Sequence, residues 1–196
     1  MVHIHNLKSL IPQQLLQKIE KVVSRGSFTQ KVNYGVGENT FCEKLILDPA
    51  FFVQGSLEQQ TFNEIFEFLL ELVHKHIMPV TYKLRCPSFE PIELRRMLGA
   101  TRAHSDGIGP QSTSAGISYR IATIILTLSE SSDAIVFPNY NTTIALNRGD
   151  VLFFPPYWTH EHFTVSNSPG RIALQTHLRE TAPANNRPEM RLLPLG

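Results

Sequence analysis

The chain has 196 residues, with 42% hydrophobic and 18% charged residues, which suits one domain with a sizeable core and excludes global disorder. A formal net charge of +1 gives no electrostatic case for a nucleic-acid or membrane-surface partner. Cys42 and Cys86 lack the spacing of a disulfide framework or a zinc ribbon. With no basic start before an apolar run and no stretch of about 18 apolar residues, the expectation is a cytoplasmic protein without signal peptide or membrane helix.

Residues 11–25 carry Ile11, Leu15, Ile19, Val22 and Val23 at helical spacing, with Pro12 suited to a first turn. Short strands are predicted over 29–34 and 40–47, with Gly35 and Gly37 turning between them. Residues 56–77 read as the strongest helix, with an apolar stripe through Phe62, Ile65, Phe66, Leu69, Leu70, Val73 and Ile77, ended by Pro79. That stripe reads as core. His74 and His76 sit at the helix end, where the dipole favours cations.

From residue 80 the pattern turns to strands: 81–85, 92–98, 119–128, 134–137, 142–146, 151–154, 160–165 and 171–177. Residues 108–117 are small and polar, and read as a mobile loop that could close over a site beside Asp106. Many short strands after two helices predict an α+β, mainly β fold: a jelly roll with N-terminal helices packed on one sheet. The expected organisation is a single domain over 1–196, with a helical support region (1–80), a jelly-roll core (81–180) and a Pro-rich tail (181–196).

Chemistry enters at His104-Ser105-Asp106. On a strand, or at its end, the period of two points both side chains to one face. An imidazole and a carboxylate there are two thirds of the 2-His-1-carboxylate set that holds non-haem Fe(II) with open positions. The chain then runs through Arg120 and Thr123 on an aliphatic strand, Gly149-Asp150 before an apolar strand, Trp158-Thr159-His160-Glu161-His162, and Gly170-Arg171.

This order and spacing, over roughly residues 92–179, resembles the 2-oxoglutarate- and Fe(II)-dependent dioxygenases, most of all their prolyl-hydroxylase-type branch, which have a double-stranded β-helix fold. The resemblance implies Fe(II) held by His104, Asp106 and a second histidine, with 2-oxoglutarate and O2 as co-substrates and ascorbate as reductant. Members with a Trp-Thr-His-x-His sequence use its second histidine and place a basic residue nine or ten positions on. Arg171 is nine after His162 and eleven after His160. His162 is thus the favoured third ligand, with His160 the alternative. Arg171 is then the cation for the distal carboxylate of 2-oxoglutarate, suited by its bidentate geometry. Thr127 and Gln175 are further candidates for co-substrate contact.

Three positions depart from the family pattern. Met97 stands where a tyrosine usually precedes the HxD loop, Ser132-Asp133 where paired glycines are common, and Thr127 where a later tyrosine often lies. The activity implied is hydroxylation of a prolyl residue in a peptide or protein, with release of succinate and CO2. One alternative keeps the fold and takes a free amino acid or other small-molecule substrate. Arg85, Arg95, Arg96 and Arg102 could favour a peptide if they faced the site. A second alternative is a non-catalytic, cupin-like metal-binding jelly roll. A zinc hydrolase is disfavoured because H-E-x-x-H is absent. Oligomeric state is left open.

Overall fold

The computed structural model describes residues 4–26, 28, 30–32, 41–80, 87–113, 116–130, 133–165 and 170–183. The strand expected at 81–85 (with Arg85), Gly35 and Gly37, Cys86, Ser132, and Pro188 and Pro194 lie outside them.

A short strand, β1 (His5–Leu7), leads into α1 (Gln13–Arg25). Pro12 caps α1 with extended backbone, and Leu15, Leu16, Ile19 and Val22 form its buried face. Strands β2 (Gln30–Val32) and β3 (Phe41–Leu47) pair antiparallel. Next comes α2 (Leu57–Leu72), where the Ser56 hydroxyl accepts the Gln59 N–H at 3.2 Å. A π-helical turn, Val73–Ile77, continues α2 up to Pro79. The expected apolar stripe is wider than the face that α2 buries. Ile65, Leu69 and Leu72 are core, whereas Phe66 and Leu70 lie on the exposed flank and Phe66 packs edge-on against Phe89.

The remaining strands are β4 (Pro87–Phe89), β5 (Ile92–Leu98), β6 (Gln111–Thr113), β7 (Gly116–Thr127), β8 (Ala134–Phe137), β9 (Thr142–Ala145), β10 (Val151–Phe154), β11 (Phe163–Val165) and β12 (Arg171–Pro183). The larger sheet has the order β1-β10-β7-β12-β5-β3-β2, with β4 added on β12 and β6 on β7; the smaller is β11-β8-β9. Every pairing is antiparallel.

Alternation divides the larger sheet into two faces. Ile92 and Leu94 of β5, Ile124 and Leu126 of β7, and Leu174 of β12 point toward α1 and α2 and form the main core with them. On the other face Ile125, Leu152, Phe154 and Ala173 meet Ile135, Phe137 and Leu146 from the smaller-sheet side. Two antiparallel sheets closed on a core, with the helices layered on one of them, make this a jelly-roll fold, mainly β, as expected.

Three local expectations differ. Residues 108–117 are not a plain loop: β6 pairs with the start of β7, Gln111 opposite Ser118. The strand expected at 160–165 shrinks to β11, because Trp158–His160 winds as a 3-10 turn after Pro155-Pro156. In the other direction β12 runs on to Pro183, because the whole length of β7 is available to pair with it.

Candidate metal centre

The second face of the larger sheet is where the polar residues collect. On β12, Arg171, Ala173, Gln175 and His177 share it. The register brings Met97 opposite Arg171, Arg95 opposite Ala173, Ile125 opposite Gln175 and Thr123 opposite His177. All of these but Thr123, with His104, Asp106, Thr164 and His162, line a cavity of about 310 Å³.

His104 and His162 come from separate segments and meet in an isolated antiparallel bridge. His104 N–H donates to the His162 carbonyl at 3.0 Å, and His162 N–H returns to the His104 carbonyl at 2.9 Å. Their ring centroids are 4.5 Å apart. His104 Nδ1 lies 2.8 Å from the Arg102 carbonyl, and His162 Nδ1 lies 3.0 Å from the His160 carbonyl. A carbonyl oxygen can only accept, so Nδ1 carries the proton in both rings and each Nε2 keeps a lone pair for a metal.

Asp106 completes the group, its Oδ1 3.9 Å from His104 Nε2. One ligand atom from each of His104, Asp106 and His162 lies within 4.8 Å of the others. Two neutral imidazoles and one carboxylate suit a first-row divalent ion, Fe(II) included, and three donors on one side leave positions open. The electrostatics agree with that fit. Burial pushes the Asp106 carboxyl up, but His177, His162 and the Thr123 hydroxyl outweigh it and hold the group well below the usual carboxylate range. Burial lowers the His162 pKa, which favours the neutral, ligating form.

Behind Asp106 lies a network that reading the residues in order did not assemble. Thr123 Oγ1 donates to Asp106 Oδ2 at 2.6 Å. His177, buried, stands 3.7 Å from that oxygen through Nε2 and 3.2 Å from Glu90 through Nδ1. Glu90 is gripped bidentately by Arg120, at 2.7 and 2.8 Å, and also by Arg179. Burial opposes charge on the Glu90 carboxyl, and His177 and Arg120 hold it ionised, far below its ordinary value. The signal for His177 was available: it lies six residues after Arg171, an even step along one strand. Glu90 carried no comparable signal, because it precedes β5 and no periodicity reaches it.

The other expected residues fall as follows. Arg171 is buried, and its Nε donates to the fully buried Asp133 at 3.1 Å, so the residue at the departed glycine position anchors the guanidinium. Gln175 Oε1 accepts from Arg95 Nη1 at 2.6 Å, which turns its amide nitrogen outward from that bond. Arg95 also binds Glu93, as does Lys44, so this wall of the cavity is charged. Thr127 shares the face but lies outside the cavity lining; its buried hydroxyl has no hydrogen-bond partner. His160 is not among the three clustered donors. Its Nδ1 meets Thr159 Oγ1 at 2.9 Å and its ring lies against Tyr140. Arg96 is turned away, onto the Phe28 ring and Glu43.

No family sequence model and no curated protein matches the chain. Solved structures do match, across most of its length. One is the viral collagen prolyl hydroxylase of Paramecium Bursaria Chlorella virus-1 in its 2OG complex. It is 15% identical, covering 91% of this chain and 97% of that one, with a TM-score of 0.64. Another is a prolyl-4-hydroxylase of Pseudomonas putida at 13% identity, 93% and 95% coverage, and TM-score 0.59. A third is a Trichoplax adhaerens prolyl hydroxylase in complex with a hypoxia inducible factor oxygen degradation domain peptide fragment, at 11% identity, 92% and 84% coverage, and TM-score 0.59. The fold is therefore the one these prolyl hydroxylases share.

Proposed function

We propose that the chain is a non-haem Fe(II)- and 2-oxoglutarate-dependent dioxygenase that hydroxylates a prolyl residue of a peptide or protein. The observation that carries the reading is the group His104, Asp106 and His162, with each Nδ1 set against a backbone carbonyl, in a cavity that the buried Arg171 also lines. The similar fold of enzymes named for 2-oxoglutarate and peptide complexes supports it.

On this reading His104, Asp106 and His162 hold the iron. When bound, the iron supplies the oxidising chemistry by which 2-oxoglutarate and O2 give succinate and CO2 and the substrate C–H becomes C–OH. Arg171, which lines the cavity, receives the distal carboxylate of 2-oxoglutarate, and the bond from its Nε to Asp133 fixes the guanidinium. Ile125, Ile135 and Ala173 give the cavity its apolar lining. The part of the lining at the exposed Ser105 and Pro91 is left for the prime substrate.

A second substrate class is favoured by the polar part of the cavity lining. Glu90, Arg120 and His177 present charge and hydrogen-bonding groups rather than an apolar slot for a pyrrolidine ring. A free amino acid or other small polar metabolite suits such a wall.

The test is succinate formation by purified protein with Fe(II), ascorbate, O2 and 2-oxoglutarate, with His104→Ala, His160→Ala, His162→Ala and Arg171→Ala in parallel. Turnover is expected in the wild type and in His160→Ala, and is expected to be lost in His104→Ala and His162→Ala. If turnover is absent, an anaerobic titration for the Fe(II)–2-oxoglutarate charge-transfer band decides. No band there would leave a non-catalytic, metal-binding jelly roll. Proline-containing peptides and free amino acids added to the same assay separate the two substrate classes.

A further inference from the structure

We propose that His177 is a positioning residue for Asp106: steadied by Glu90, its Nε2 engages the outer oxygen Oδ2, so that Oδ1 alone turns to the two imidazoles. The inference rests on reading His104, Asp106 and His162 as a metal centre.

Four observations support it. His177 and Thr123 are directly opposite one another on β12 and β7, so both side chains rise at the same place on the sheet. Asp106 Oδ2 lies above that place, already taking the Thr123 hydroxyl on one of its lone-pair sides. Second, the ring is held from behind. Nδ1 is 3.2 Å from Glu90 Oε2, and Glu90 is itself fixed by Arg120 and Arg179. A ring set between two carboxylates donates from both nitrogens as the imidazolium, and it is in that form that Nε2–H serves Oδ2. Third, Nε2 is buried, lines the cavity and has no hydrogen-bond partner at 3.7 Å from Oδ2. That separation is only somewhat too long for a formed hydrogen bond. A buried polar nitrogen left unpaired is costly, so a donor–acceptor pair this near is a poised contact. Fourth, Oδ1 is the oxygen that faces His104 Nε2.

The consequence is specific. An aspartate tethered only by its backbone can rotate and offer a metal both oxygens or neither. With Oδ2 held by Thr123 and His177, only one oxygen remains for coordination, which keeps the other positions open for co-substrates.

Co(II) titration of the full chain tests this without any turnover. Wild type, His177→Phe and His177→Gln are compared by Co(II) affinity, by the visible Co(II) spectrum, and by the melting temperature of the metal-free protein. His177→Phe is expected to bind Co(II) about 10–100-fold more weakly, with altered bands. His177→Gln, which keeps a donor on a similar stem, is expected to recover most of that loss. Wild-type affinity and spectrum in His177→Phe would overturn the proposal. Should His177→Phe fail to fold, His177→Leu against His177→Gln decides by the same comparison. Wild type that binds no Co(II) would overturn both the metal centre and this role. Wild type that binds Co(II) but shows no Fe(II)–2-oxoglutarate band removes only the co-substrate reading, and the His177 comparison still stands.

Discussion

Arg171 shows how a single side chain acquires its environment. A guanidinium at 4% exposure requires a partner, and Asp133, at 1%, supplies it through one N–H. The pairing commits Nε to Asp133, and the residue also lines the cavity. Arg171→Ala is therefore expected to raise the 2-oxoglutarate concentration for half-maximal turnover by at least about tenfold while leaving Co(II) affinity near wild type, since no metal ligand is touched. Asp133→Ala is expected to act differently, by stranding a buried cation. A stability loss of roughly 3–5 kcal/mol, read by urea denaturation, is the expected result. Arg171 was legible in the sequence because of its spacing from His162 and the turn before it. Asp133 was visible only as a departure, since nothing in a local pattern says that a residue 38 positions earlier will meet it.

Among the elements, the turn before β10 couples the segment after β1 to the larger sheet. Gly149 sits at φ +89°, a conformation that side chains strain, and its amide bonds the Thr127 carbonyl. Asp150, 2% exposed, takes Lys8 at 2.8 Å and the Ser9 amide at 2.9 Å, which tethers the segment after β1. Burial raises the Asp150 pKa, but Lys8, Ser9 and Asn147 together bring it below its ordinary value. The tether therefore contributes fully above the unfolded aspartate pKa, about 3.9, and is lost as pH falls through the lower folded value. Asp150→Asn is expected to cost about 1–2 kcal/mol at pH 7, with the gap to wild type closing as pH falls below the ordinary aspartate range in a series of urea melts. A gap independent of pH would show that the carboxylate charge plays no part. Strand β10 was readable because a run of four apolar residues is buried on both faces. Strand β6 was not, because Gln111 and Ser112 are exposed edge residues and leave no alternation to detect. The turn Trp158–His160 was missed for a third reason. Two prolines remove the ladder donors upstream, so the period of two assumed from His160 to His162 never starts.

For the whole molecule, the two faces of the larger sheet divide the labour. The helix-side face is apolar and carries the fold, as Ile124, Leu126, Leu94 and Leu174, all 0% exposed, pack under α1 and α2. The opposite face gives up apolar area to His104, Asp106, His162, Arg171 and their partners, a polar interior that a cation would complete. Among the described residues no helix is long and apolar enough to cross a membrane. The division implies that stability and metal binding respond to different substitutions. Leu126→Ala is expected to cost about 3–4 kcal/mol in metal-free and metal-loaded protein alike, because it opens a cavity on the helix side. His104→Ala is expected to leave the metal-free melting temperature within a degree or two of wild type, since its ring is partly exposed and no core contact is lost. The effect of metal should separate the two variants. Co(II) at about 100 times its Kd stabilises a folded state that alone binds it by about 2.7 kcal/mol, which for a chain of this size is roughly 5–10 °C. Wild type and Leu126→Ala are expected to gain that increment and His104→Ala to lose it. An equal gain in all three would place the binding site away from the triad.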